Sequence, residues 1–128
     1  MLDTNVVCDL VRQPNGSVGG RVTALEQGSF SISVIVAAEL QYSAARSRSS
    51  RFRKQLDAVL SAIETVPLDE PVDTHYGTIR SELERIGRPI GQNDLLIAAH
   101  ARALGGTLVT NNTREFGRVP DLDIEDWR

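Results

Sequence analysis

Short apolar runs alternate with polar breaks along this chain, and their spacing switches between the period of a helix and that of a strand. Val6 to Val11 predicts a short helix stopped by Gln13-Pro14-Asn15-Gly16, and Ser17 to Glu26 predicts a second ending at Gly28. Phe30 to Ser33 has the pattern of a brief strand. Ser33 is placed to cap a helix running through Glu39 to Tyr42, and Ser50 to cap one reaching about Ile63. Val66 to Leu68 predicts another strand. Between Pro71 and Ile86, the residues Val72, Tyr76, Ile79, Leu83 and Ile86 recur every three or four positions, with Gly87 as the stop. Asp94 to Leu104 predicts a helix that Asn93 could cap, and Thr107 to Thr110 a strand.

Alternation of this kind predicts an α/β fold, a three-layer α/β/α arrangement around a short, mostly parallel sheet. In such folds ligands bind beyond the carboxyl ends of the strands, so the loops after strands are where chemistry is expected. With 128 residues, 41% of them hydrophobic, and no repeat or long linker, the chain is expected to form a single domain over residues 1–128. No apolar run approaches the ~20 residues of a membrane helix. The opening Met1-Leu2-Asp3 has no signal-like character, and the single cysteine, Cys8, permits no internal disulfide; a cytoplasmic protein is expected.

Three acids stand out against this background. Asp3 lies where a first strand gives way to a helix and is followed by the small polar residues Thr4 and Asn5. Glu39 interrupts an otherwise apolar helix, where an ionised carboxylate is costly without a partner. Asp94 opens the apolar run Leu95-Leu96-Ile97-Ala98-Ala99. Helix capping explains Asp3 or Asp94 taken singly, and a solvent-edge position explains Glu39. Taken together with the polar loop Thr110-Asn111-Asn112-Thr113-Arg114-Glu115, they make a set suited to a hard cation, Mg²⁺ or Mn²⁺, and so to phosphodiester hydrolysis.

Other chemistries find little support. Gly16-Ser17-Val18-Gly19-Gly20 follows a polar turn rather than a strand, so it is no dinucleotide fingerprint, and no phosphate loop ending in Gly-Lys-Ser/Thr occurs. His75 and His100 lack zinc-ligand neighbours and read as surface or core filler, as Cys8 reads as a small core residue without an activating partner. The net charge of −3 argues against general attraction to a polyanion. A local positive rim remains available: Arg46, Arg48, Arg51, Arg53 and Lys54 hold five of the 14 basic residues, and Arg80, Arg85 and Arg88 precede the Asp94 loop.

Four segments carry a family likeness: Met-Leu-Asp-Thr-Asn at the start, Ala-Ala-Glu-Leu around Glu39, Asn-Asp-Leu-Leu-Ile-Ala-Ala-His-Ala around Asp94, and Leu-Val-Thr-Asn-Asn-Thr-Arg-Glu-Phe near the end. In this order they resemble the PIN-domain ribonuclease toxins called VapC. The resemblance implies a homodimeric endoribonuclease that cleaves RNA, often transfer RNA, and is neutralised by a cognate VapB antitoxin. It places the acidic metal ligands on Asp3, Glu39 and Asp94 and the fourth catalytic position on Asn112. Thr4, Asn5, Thr110 and Glu115 are auxiliary candidates; Arg46, Arg48, Arg51 and Arg88 are RNA-binding candidates. Leu40 and Tyr42 are open to an antitoxin groove, a dimer face or the core. In the family an apolar strand precedes the first Asp; here only Met1 and Leu2 do, so that strand is either very short or incompletely included. Two readings of other classes stay open: an aspartyl-phosphate phosphotransfer domain using Asp3, and a catalytically silent PIN-type binding module.

Overall fold

The computed structural model describes residues 1–128. The chain opens with Met1–Asp3 in extended form and enters helix α1, Thr4–Arg12, followed by α2, Ser17–Ala24. Strand β1, Ser31–Ser33, leads into α3, Val34–Arg46, and a short turn into α4, Ser50–Ala62. Then come β2, Glu64–Val66, α5, Val72–Arg85, and α6, Gln92–Ala103. The chain closes with β3, Thr107–Val109, the single turn α7, Thr113–Phe116, and β4, Asp123–Glu125.

Each strand is three residues long, and every pairing is parallel. β1 pairs with β2, and β3 with β4. Residues Met1–Asp3 join the two pairs: Leu2 N–H donates to the Ser31 carbonyl at 2.9 Å, Asp3 N–H to the Val109 carbonyl at 2.9 Å, and Val109 N–H to the Met1 carbonyl at 2.8 Å. The order across the molecule is therefore β2, β1, Met1–Asp3, β3, β4. Ahead of Asp3, Leu2 forms a single parallel bridge with Val109. Because the chain moves outward to β1 and β2 and later returns on the other side as β3, the topological switch falls between Met1–Asp3 and β3. Asp3 and Thr110 are the first residues past the carboxyl ends of that pair.

The expected α/β architecture holds, with the helices packed around the parallel strands. α6 is buried almost all round (Leu95, Ile97, Ala98, Ala99, His100, Ala101), packing on α5, α3, β1 and β3. At its back, the fully buried Ser33 hydroxyl serves two elements: it accepts the Ile35 N–H that starts α3, at 3.1 Å, and lies 2.8 Å from His100 Nδ1. The other side of the ring meets the Pro67 carbonyl, and burial holds the imidazole below its usual pKa, so His100 is a neutral core residue, as the sequence suggested. One of the glycines after Pro14 also has a packing role. A Cβ on Gly19 would fall 1.8 Å from the Pro14 carbonyl oxygen, so only glycine lets α2 close on the preceding turn.

Several expected boundaries move. α4 is capped by Ser49, whose hydroxyl accepts from Phe52 N–H at 3.1 Å, not by Ser50. The strand expected at Val66–Leu68 begins earlier, at Glu64, because its pairing with β1 fixes Ser31 opposite Glu64. α6 starts at Gln92 behind Gly91, so Asn93 lies inside the helix and does not cap it. Cys8 is half-buried and packs against the edge of the core. Gly87, at φ +69°, ends α5 where the pattern placed its stop. β4 went unforeseen: Asp123-Ile124-Glu125 offers one apolar side chain between two exposed acids.

Ser33→Ala removes a helix cap and leaves a buried ring nitrogen without its partner, so a loss of about 2–3 kcal/mol is expected in urea unfolding. A loss below about 0.5 kcal/mol would show that Ser33 does not join these elements.

Candidate active site

Asp3 sits at the end of the central strand, 4% exposed, and both of its carboxylate oxygens are held. Oδ1 accepts the Thr4 N–H at 2.7 Å, the first amide of α1, and Oδ2 accepts the Thr110 hydroxyl at 2.8 Å. The capping role is therefore real, and it coexists with a position at the switch point. Thr4 then reaches across to α3, its hydroxyl donating to Glu39 Oε1 at 2.9 Å. On the far side, the Thr110 oxygen accepts the Asn112 N–H at 2.9 Å, and the Asn112 side-chain amide donates to Glu115 Oε2 at 3.1 Å. Thr4 and Thr110, small neighbours in the sequence, are thus the struts that fix Asp3 and Glu39.

Asp94 lies in the first turn of α6, half-buried, at an end of the helix dipole that favours a negative charge. Its pKa is nevertheless pushed up to about 6, first by burial and then by the negative charges of Asp3, Glu115 and Glu39, with a hydrogen bond to Glu115 acting in the same direction. Burial also raises Asp3, against the two hydrogen bonds it accepts. Asp94 therefore feels the acids of three other segments. None of them has a basic partner, since the ion pairs of the fold are Arg80–Glu84, Arg85–Glu82 and Arg128–Asp126.

The donor set, carboxylates with one side-chain amide nearby, is chemically that of a hard divalent cation. No three of these side chains enclose an ion as they stand, because Asp94 is turned onto Glu115 and Glu39 onto Thr4. The sequence-derived trio Asp3, Glu39 and Asp94 is thus brought to one place, together with Thr4, Thr110, Asn112 and Glu115. Asn5 is exposed and outside this network. Cys8 lies near enough for Asp3 and Glu39 to help raise its pKa, but burial is the main cause, so it stays a protonated thiol.

The basic candidates do not reach the acids. Arg46 lies seven residues beyond Glu39 on α3, about 10 Å along the axis. It stands 5.4 Å over the Tyr42 ring and donates to its hydroxyl at 3.3 Å. Arg48, Arg51 and Arg88 are exposed. Leu40 is wholly buried, which removes it as a docking residue, whereas Tyr42 is exposed. Arg12 was not singled out in the sequence; it shares a pocket with Arg51, and its only signal there was its position eight residues after Thr4.

The PIN-domain family pattern matches residues 1–122. Ribonuclease VapC2 of Rickettsia felis is 41% identical over 129 residues, covering 99% of this chain and 96% of that protein. The tRNA(fMet)-specific endonuclease VapC of Shigella flexneri is 43% identical over 128 residues, again covering 99% of this chain and 96% of that protein. Among solved structures, the crystal structure of VapBC2 from Rickettsia felis bound to a DNA fragment from their promoter superposes with a TM-score of 0.93. The identity there is 40%, with 100% of this chain and 98% of that one covered. The chain belongs to the PIN-domain family and, within it, to the VapC ribonucleases.

The raised Asp94 pKa gives a signed prediction for the cation-free protein. Between its ordinary value of 3.8 and about 6, the folded state binds a proton that the unfolded state has lost, so this group's contribution to stability falls as pH rises through that window. Asp94→Asn should remove the fall and stabilise the protein at neutral pH by about 1 kcal/mol, allowing for solvent screening of a half-buried group. Thermal unfolding in EDTA at acid and neutral pH measures the difference; a variant less stable than its parent at neutral pH contradicts the repulsion.

Proposed function

We propose that this chain is a divalent-cation-dependent endoribonuclease, the toxin half of a toxin–antitoxin pair, in which Asp3, Glu39 and Asp94 hold Mg²⁺ or Mn²⁺. The observation that carries this reading is the convergence of four carboxylates, Glu115 included, at the switch point of the sheet with no basic side chain to balance them. When bound, the cation supplies charge neutralisation at a scissile phosphate and acidifies water for in-line attack. The protein's part is positional. Thr4 and Thr110 fix Asp3 on both oxygens, Thr4 also steadies Glu39, and Asn112 holds Glu115 against Asp94 through its amide. The proton that Asp94 retains in the cation-free protein must leave before its carboxylate can ligate, so cation binding weakens below about pH 6.

RNA as substrate, transfer RNA in particular, is supported by the relatives' names, one of which specifies tRNA(fMet). A VapB-type antitoxin as partner is supported by the relatives solved as VapBC complexes. An apolar groove of about 340 Å³ between Leu10, Val11, Val22, Ala58 and Val59, joining α1, α2 and α4, suits an apolar antitoxin segment. A cytoplasmic homodimer completes the reading, with the exposed Tyr42 ring as apolar surface for the second copy. The phosphotransfer alternative fits less well, because the position two after Asp3 holds the exposed Asn5 rather than a second Asp to act as acid.

Purified protein should cleave RNA with Mg²⁺ or Mn²⁺, lose activity in EDTA, and leave 5′-phosphate and 3′-hydroxyl ends. Asp3→Asn, Glu39→Gln and Asp94→Asn should each lower kcat by at least about 100-fold while remaining folded. End-group analysis and kinetics decide. Cyclic phosphate products contradict the cation-assisted mechanism, and full activity in any one variant removes that residue from the site.

A further inference from the structure

We propose that the pocket bounded by the ends of α1 and α3 and the start of α4 is a phosphate subsite, which grips the RNA backbone beside the acidic centre; this rests on the ribonuclease reading above. α1 and α3 run side by side in the same direction. At one end Thr4 donates to Glu39, and at the other Arg12 lines the same pocket as Ser43 and Ser47. The stripe Thr4, Cys8, Arg12 on α1 thus runs beside Glu39 and Ser43 on α3 and Ser47 at its C-terminal end, each at four-residue spacing. Eight residues at 1.5 Å each put the pocket about 12 Å beyond Thr4, at a neighbouring phosphate rather than the scissile one.

The pocket, about 410 Å³, is lined by Arg12, Arg51, Ser43, Ser47, Ser49 and Phe52, together with Gln55, and no carboxylate faces it. Its donors lack acceptors. Neither Arg12 nor Arg51 is in an ion pair. Arg12 is placed instead by the Phe52 ring, 5.7 Å from its guanidinium carbon. The Ser47 and Ser49 oxygens accept the Ser49 and Phe52 amides, at 3.1 Å each, which leaves both hydroxyl protons free to donate. The positive end of the 13-residue α4 adds to the field. Two guanidiniums and hydroxyl donors around one cleft match the oxygens of a phosphodiester. By contrast, Arg80 and Arg85 are paired with glutamates and Arg46 with Tyr42. The pocket also shows how a chain of net charge −3 can hold a polyanion: the attraction is local.

The test is the steady-state cleavage of an RNA oligonucleotide in Mg²⁺ by the full chain over a range of KCl concentrations. Arg12→Gln/Arg51→Gln should raise KM about tenfold, keep kcat within about twofold, and flatten the salt dependence of KM by one to two counterions. Ser47→Asp, which keeps an acceptor for the Ser49 amide but adds a carboxylate, should raise KM similarly, and it decides the matter should the double variant fail to fold by circular dichroism. Arg21→Gln/Arg128→Gln loses the same charge elsewhere and should match the parent. Unchanged KM and salt slope in the pocket variants, a loss confined to kcat, or an equal loss in the Arg21/Arg128 control overturns the subsite while leaving the ribonuclease reading intact. Failure of the parent to cleave RNA overturns both.

Discussion

The hydrogen bond from the Thr110 hydroxyl to the buried Asp3 carboxylate ties the two strand ends that flank the switch point of the sheet. The backbone pairing brings the two side chains together. Asp3 N–H is committed to the Val109 carbonyl, so the Asp3 side chain emerges where β3 ends. A carboxylate buried this deeply is tolerable only with donors on its oxygens, and Thr4 and Thr110 are those donors. Their remaining hydrogen-bonding capacity then sets Glu39 on one side and Asn112 with Glu115 on the other. The acidic centre is thus an extension of the sheet, built outward from one strand end.

That construction has an energetic cost, and the fold spreads it. Burial first, and then the negative charges of Asp3, Glu115 and Glu39, push the Asp94 pKa up to about 6. The opposing stability comes from the core below: α6 buried nearly all round, and the Ser33–His100 contact joining α3 to α6. Strain of this kind, a destabilised polar site on a rigid apolar base, is the usual relation between a binding centre and its scaffold. In this chain the relief is expected from a cation, which replaces repulsion by shared attraction.

Much of this was legible in the chain itself. α5 and α6 declared themselves through apolar periodicity and glycine stops, and Glu39 was conspicuous because an ionised group within an apolar helix needs a reason. The three-residue strands were harder, since so few residues carry almost no alternation; β4 has one inward side chain, Ile124, and left no signal. Caps shifted by one or two residues because neighbouring serines and glycines, Ser49 beside Ser50 and Gly91 before Asn93, compete for the same role locally and tertiary packing decides between them. The roles of Thr110 and Arg12 depended on partners 107 and some 30 to 40 residues away, Asp3 for the first and Ser43, Ser47, Ser49 and Arg51 for the second. No local pattern could have supplied them.

The central claim is that Asp3, Glu39, Asp94 and Glu115 share one electrostatic space that a divalent cation can occupy. Carbon-detected NMR titration of the Asp94 carboxyl, without and with Mg²⁺, tests it at the atom concerned. The account predicts titration near pH 6 in the cation-free protein and a fall toward or below the ordinary carboxylate range when Mg²⁺ is added. Titration near 3.8 in the absence of a cation, unmoved by Mg²⁺, would contradict it.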